Sequence, residues 1–412
     1  MTSTTVPDRS RGLSIAQLVL SIIALTITLV SALTMLILFN VPGLSMIGTQ
    51  PLEQLKTFMW VNGLIGLIAV PSLVLSIRRL AGRPAPQRLR HGLLVASLAL
   101  LLVPLLVLLV EKNIPVSLPA GIMALINVLV VGLPLWWLIE LGSRRLKSGS
   151  RQRCWGLSTL SLFVTMPVIM TVEILFLLVV VVFGSVWITR QPGFIDIVNQ
   201  LQNQLMMNPF EIQGLVRLLE PMLTRPEVGV AALLGICLFI PLIEEFLKPL
   251  GLWFLSRHDL TPAEGFTAGL VCGAAFALLE SSLSLTAVSG EAWLTTAAGR
   301  LGTGLLHTLT AGLNGWALVS TWREGKFLRQ AAVYILTVLL HGTWNLFALL
   351  AGLREAGGQF QSLVNPGLAA ASPWVLGGLA ALMLAGLFFA NFKLRPDETP
   401  LMLPPELPQV LE

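Results

Sequence analysis

The sequence predicts an all-α polytopic membrane protein of about ten transmembrane helices. The chain of 412 residues is 55% hydrophobic and 11% charged, with a mean hydropathy of +0.82, whereas soluble domains are about 25% charged. Its apolar runs are near 20 residues or longer, unlike the ~10-residue alternating segments of barrel strands. Its basic residues gather in short loops between those runs, so the net charge of +5 reflects topology rather than a nucleic-acid partner.

The elements follow in order. Residues 1–13 are polar and expected to be disordered. Span 1 covers about 14–39 and is expected to remain as an anchor, being too long for a signal-peptide core and lacking a small-residue cleavage site. Span 2 (58–77) leads into a basic loop containing Arg78, Arg79, Arg83, Arg88, Arg90 and His91. Span 3 (92–110) and span 4 (120–139) precede a second basic loop with Arg144, Arg145, Lys147, Arg151 and Arg153. Span 5 covers 156–188. The polar connection 189–227 carries two helical stripes, Ile195/Val198/Leu201/Leu205 and Ile212/Leu215/Leu219/Met222, expected as two short amphipathic helices lying on the membrane face, packed on the rim of the bundle rather than acting as a lid. Spans 6 (228–255), 7 (263–285), 8 (297–319) and 9 (331–352) follow, then a loop and span 10 within 353–392, and a Pro-rich tail, 393–412, expected to be disordered. With the N-terminus inside, eighteen of the 26 Lys and Arg fall on that side, seven on the other, and Lys248 within a span. The asymmetry predicts both termini inside. Cys154, Cys237 and Cys272 are odd in number, without a CxxC, and read as small apolar fillers.

Ionisable residues divide the chain into a supporting half, 14–188, and an active half, 228–352. Span 6 contains Pro241-Leu-Ile-Glu-Glu-Phe-Leu-Lys-Pro249. A charge at that depth costs roughly 2.5–3.5 kcal/mol on insertion scales. On a helix, Lys248 can partner Glu244 (i,i+4) or Glu245 (i,i+3), leaving the other carboxylate for other work. A buried ion pair that only fixes packing is the simpler alternative, but two carboxylates against one cation need a further partner. Span 7 adds Phe276-x-x-x-Glu280, span 8 adds His307, and span 9 adds His341-x-x-x-Asn345. All lie near mid-span, with Glu280 displaced outward by ~8 Å. Each signal is weak singly, and a lone span histidine is often only bonded to a carbonyl. Together they are expected to line one polar cavity in the membrane. His91 and His258 read as solvated loop groups.

In this order these motifs resemble the PrsW family of bacterial intramembrane proteases, within a superfamily that includes the type II CAAX prenyl endopeptidases (Abi proteins). Lys248 and Glu280 fit the PrsW pattern; Asn345 stands where that family has Asp and resembles the CAAX form. The superfamily also includes a non-catalytic subunit of gamma-secretase. The resemblance covers about residues 228–350. It implies a multi-pass protein of a bacterial plasma membrane that cleaves a single-span membrane protein, the family's example being an anti-sigma factor.

For peptide hydrolysis, Glu244 or Glu245 is expected to act as the base that activates water, with Lys248 orienting its partner. Glu245 is the preferred base, and Glu244 the partner of Lys248. An apolar surrounding disfavours the charged carboxylate and suits a base that later returns its proton. Glu280, His307 and His341 are expected to hold Zn2+, leaving a fourth position for water, and the resemblance implies the same metalloprotease assignment. In a metal-free version, Glu and His activate the water directly while His341 and Asn345 donate to the oxyanion. Two other classes remain open: a proton-coupled transporter using these groups and Glu173 as a relay, and a non-catalytic membrane scaffold.

Overall fold

The computed structural model of the chain describes residues 8–41, 49–83, 91–113, 118–191, 194–207, 225–256, 259–356 and 365–396. The stripe at 212–222, His258, and much of both tails and of the loop after span 9 lie outside these residues. Among the described residues the fold is helical, without strands. In order the helices are α1 (Asp8–Leu38), α2 (Thr49–Gly66), α3 (Ala69–Leu80), α4 (Gly92–Leu100), α5 (Leu102–Asn113), α6 (Ala120–Gly142), α7 (Arg151–Leu160), α8 (Met166–Ile188) and α9 (Phe194–Met207). They continue as α10 (Pro226–Leu234), α11 (Ile240–Leu247), α12 (Leu250–Trp253), α13 (Pro262–Thr286), α14 (Glu291–Glu324), α15 (Phe327–Ala356) and α16 (Pro366–Lys393). Single π turns, Ser161–Thr165 and Gly235–Phe239, join α7 to α8 and α10 to α11.

Nine of the predicted spans lie in helices long and apolar enough to cross a membrane. The predicted eighth lies in α14, which at 34 residues is ~50 Å long but more polar. Its neighbours are protein rather than lipid: Thr303, His307, Thr308, Thr310 and Asn314 are all buried. The outer helices behave oppositely. Along α8, Leu175, Val179, Val182 and Phe183 are exposed, as suits a face that meets acyl chains.

The packing centre is the pair α13–α14, the most extensive helix contact in the fold. Gly265, Gly269 and Gly273 recur at every fourth residue of α13, and each faces a backbone carbonyl of α14: Gly315, Ala311 and His307 respectively. A Cβ at Gly265 would stand 2.5 Å from the Gly315 oxygen. Small residues at this spacing let two membrane helices meet backbone to backbone. A capping box, Thr261 with Glu264, starts α13, and Gly325 at φ 66° ends α14 in the left-handed conformation. The supporting helices join this core through α6, where Trp293 Nε1 donates to Asn127 Oδ1 at 2.8 Å.

In the connection after span 5 the first stripe forms a helix, α9, on which Ile195 and Val198 are exposed and Leu201 is half-buried. Exposed apolar side chains of this kind fit the expected helix on the membrane face.

Candidate active site

Two prolines shape the segment that carries Glu244, Glu245 and Lys248. Pro241 has no N–H to offer the Cys237 carbonyl four residues earlier, and the backbone widens there into the π turn. α15 closes over this turn. Gly342 lies against the Cys237 carbonyl with no room for a Cβ, Asn345 Nδ2 donates to the Ile236 carbonyl at 3.0 Å, and Tyr334 Oη donates to the Leu242 carbonyl at 2.7 Å. Pro249 then stops α11, leaving Lys248 at its end. The two prolines thus isolate a short charged helix, which α15 holds by hydrogen bonds.

Lys248 is the hub of the cluster. Its Nζ lies 2.9 Å from Glu244 Oε2 and 2.7 Å from Glu245 Oε1, and 2.6 Å from His307 Nδ1. It also sits 4.8 Å above the centre of the Phe276 ring, which packs edge-on against His307. Glu245 is tied further, to His341 Nδ1 at 2.9 Å and to Asn314 Nδ2 at 3.3 Å. Asn314 in turn donates to Thr337 Oγ1 at 3.0 Å. With Lys248 donating to His307 Nδ1, the proton of that ring belongs on Nε2; with Glu245 accepting from His341 Nδ1, the free nitrogen of that ring is Nε2.

The other side of the cluster faces a cavity of about 710 Å³ lined in part by Glu244, Glu280, His307, His341 and Asn345. Glu244 Oε2 lies 3.9 Å from His307 Nδ1 and 3.9 Å from His341 Nε2. Glu280 stands at the other edge, 2.8 Å from His307 Nε2 through Oε2 and 2.8 Å from Arg300 through Oε1. Three buried atoms facing one another here, Glu244 Oε2, Glu280 Oε2 and His307 Nε2, have no aligned hydrogen bond. Such atoms normally find partners in a protein interior. Ligand atoms of Glu244, His307 and His341 all lie within 4.8 Å of one another, and two imidazoles with one carboxylate are a donor set suited to a divalent transition metal.

The residues from the four motifs are therefore together. Glu280, the expected carboxylate of the metal group, lies 2.8 Å from His307 Nε2 and pairs with Arg300, while the ligand atoms that gather within 4.8 Å of one another are those of Glu244, His307 and His341. Glu245 was the preferred base, but it is 1% exposed and bonded to Lys248, His341 and Asn314, while Glu244 faces the cavity. Phe276 walls Lys248 and His307. Asn345 lines the cavity and uses Nδ2 to hold the π turn. Sequence reading missed Asn314 and Arg300. Asn314 lies seven residues after His307, two turns along the same helix face, and Arg300 seven before it, so the i,i+7 spacing was the available signal. Glu173, on α8, keeps one buried carboxylate oxygen without a partner.

A bundle of lipid-facing helices around buried acidic, basic and imidazole groups defines an integral membrane protein with a hydrolase-type site. Residues 205–371, less than half of the chain, match the family described as PrsW family intramembrane metalloprotease. Over that stretch the chain is similar to the PrsW family of intramembrane metalloproteases. No curated protein and no solved structure matches it.

Proposed function

We propose that this protein hydrolyses a peptide bond in or beside the transmembrane segment of a single-span membrane protein, at the cavity that Glu244, Glu280, His307 and His341 share. The observation that carries the reading is the gathering of ligand atoms from Glu244, His307 and His341 within 4.8 Å of one another at the head of that cavity.

Glu244, His307 and His341 would hold a metal ion, His341 through its free Nε2 and His307 only by giving up either its contact with Lys248 at Nδ1 or its proton on Nε2, with Zn2+ the candidate from the donor set. When bound, the ion supplies Lewis acidity to the scissile carbonyl and to a water molecule. Glu280 takes the proton of the attacking water and returns it to the leaving amine. Arg300 keeps Glu280 in place. Glu245 positions His341 through Nδ1, and Lys248 holds both members of the Glu pair. The free N–H of the Asn345 amide supplies a donor for the developing oxyanion. The supporting half, 14–188, braces this core.

The cavity wall beyond the cluster is built of small residues from three helices, among them Gly299 and Gly302 on α14, Ala348 and Gly352 on α15, and Gly377 on α16. It leads toward the end of the bundle where α14 begins and α15 ends, away from the basic loop at 143–153. A narrow slot of this kind suits an unwound, extended segment, whose backbone can approach the catalytic groups as a helix cannot. With both termini inside, the cut falls in the outer half of the bilayer.

The test compares the membrane proteomes of cells carrying wild type and Glu244→Gln, reading fragment lengths. A single-span protein cut only with wild type supports the reading. Unchanged fragment lengths under envelope stress, together with altered proton flux in vesicles of the variant, would move the protein to the transporter class.

A further inference from the structure

A second site lies on the opposite face of α13 from Phe276 and Glu280, between the supporting helices and α13 and reaching the basic end of the bundle. One cavity of about 600 Å³ has walls from Ile68, Leu135, Trp136 and Leu278, and its mouth is formed by the polar segment 148–151. A second, of about 560 Å³, adjoins it, shares Glu140 and Ser148 with it, and is lined by His91, Arg144 and Arg145. The pair forms a long apolar slot opening onto a basic basin. We propose that it binds a phospholipid with an anionic headgroup, one acyl chain lying in the slot and the phosphate among Arg144, Arg145 and Arg151.

Charge and backbone both support this occupant. Arg144, Arg145 and Arg151 have no carboxylate partner among the described residues, and Glu140 is the single acidic group on either wall. Arg145 is the only described non-glycine residue with a positive φ, at 61°. That conformation is unfavourable for a residue with a Cβ, and strain of this kind concentrates at ligand clamps. It follows α6 directly and turns the chain so that Arg144 and Arg145 flank the basin, while Gly149 at φ 70° turns it back toward Arg151. The apolar slot is the part a soluble phosphate or nucleotide would leave unfilled. Its α13 wall includes Ala274, Ala275 and Leu278, on the helix that carries Phe276 and Glu280, so the bound chain fills the space between the two halves of the protein.

The test is native mass spectrometry of the full-length protein released from detergent with phosphatidylglycerol or phosphatidylcholine added. Wild type is expected to retain one phosphatidylglycerol and to prefer it to phosphatidylcholine. At about fivefold per basic residue near a lipid phosphate, the triple variant Arg144→Gln/Arg145→Gln/Arg151→Gln should lose that preference by roughly a hundredfold. Ala274→Leu, which narrows the slot, should weaken both lipids. Equal retention of the two lipids by wild type would overturn the headgroup assignment. Retention unaffected by the slot variant, with the protein still monodisperse, would mean surface attraction only and would overturn the chain placement. Should Ala274→Leu not fold, quenching of Trp136 and Trp155 by acyl-brominated phosphatidylglycerol replaces it: no loss of quenching in Trp136→Phe/Trp155→Phe would equally reject the slot.

Discussion

Gly273→Ala probes how the fold sets the site. The added Cβ would fall 2.8 Å from the Ala311 Cβ and closer still to the carbonyl oxygen of His307, well under the 3.0 Å that real Cβ atoms respect. Neither neighbour is a flexible side-chain tip: one is backbone, the other the first atom of a buried alanine. α13 and α14 must therefore separate by about 1 Å to restore van der Waals distance. The displaced atom belongs to His307 itself, so its imidazole moves with it, away from Glu244 and Lys248. Overpacking of this kind costs roughly 1–3 kcal/mol, and a 1 Å misplacement at a reacting centre costs about a hundredfold in rate.

The expected result is a protein that inserts, purifies as wild type does, melts several degrees lower and loses metal affinity together with cleavage. Gly378→Ala on α16 is the control, since a Cβ there meets nothing within 4 Å, and an alanine in a helix is slightly favourable. Thermal melting in detergent, metal content by elemental analysis and fragment formation in membranes are the three readouts. Wild-type melting, metal content and cleavage in Gly273→Ala would refute the argument that the backbone approach of α13 fixes His307.

Four further outcomes follow from the same geometry. Glu244→Gln is expected to lose bound metal, whereas Glu280→Gln keeps it and loses 10²–10⁴-fold in rate, as roughly expected for removal of a general acid–base; metal loss in Glu280→Gln with retention in Glu244→Gln would restore the ligand set first read from the sequence. Lys248→Met leaves two buried carboxylates uncompensated and should cost about 3–5 kcal/mol, read as a large fall in melting temperature. Asn314→Leu removes a donor from Glu245 and should destabilise by about 1–3 kcal/mol, with metal content retained. Arg300→Lys keeps the charge but not the planar fork, so cleavage should fall by a smaller factor than in Glu280→Gln while melting stays unchanged.

The parts of this molecule that were legible in the sequence are those dictated by cost. A charge in an apolar run is expensive wherever it occurs, so Glu244, Glu245, Lys248, Glu280, His307 and His341 identify themselves without a structure. The division of labour among them was not legible, because it depends on contacts between helices. Which of Glu244 and Glu245 faces the cavity is decided by Asn314 on α14 and His341 on α15, both of which tie the second carboxylate. The pairing of Glu280 with Arg300 was hidden for a similar reason: Arg300 is on another helix, and nothing in the local sequence joins them. The amphipathic stripe of α9 was legible as a helix but not what covers it, since periodicity shows that a face is apolar and not whether protein or lipid covers it. The glycines at 265, 269 and 273 were visible as a spacing, but their meaning required α14 opposite them.

The same contacts weigh against the site being an inherited but inert scaffold. A cluster retained only for packing would have its polar groups closed upon one another, because each buried and unsatisfied atom costs about 1–3 kcal/mol. One half of this cluster is tied to neighbouring helices: Glu245, Asn314 Nδ2, Thr337 and the Nδ1 atoms of both histidines are all bonded, and Asn314 Oδ1 alone of these lacks a partner. The other half faces the cavity, where Glu244 Oε2, Glu280 Oε2 and His307 Nε2 are in ion-pair range of Lys248 or of one another without an aligned hydrogen bond. Packing alone supplies no reason for that asymmetry. It is the arrangement expected when rigid inner bonds fix the rings and carboxylates so that their outer atoms are free to engage an ion, a water molecule and a substrate.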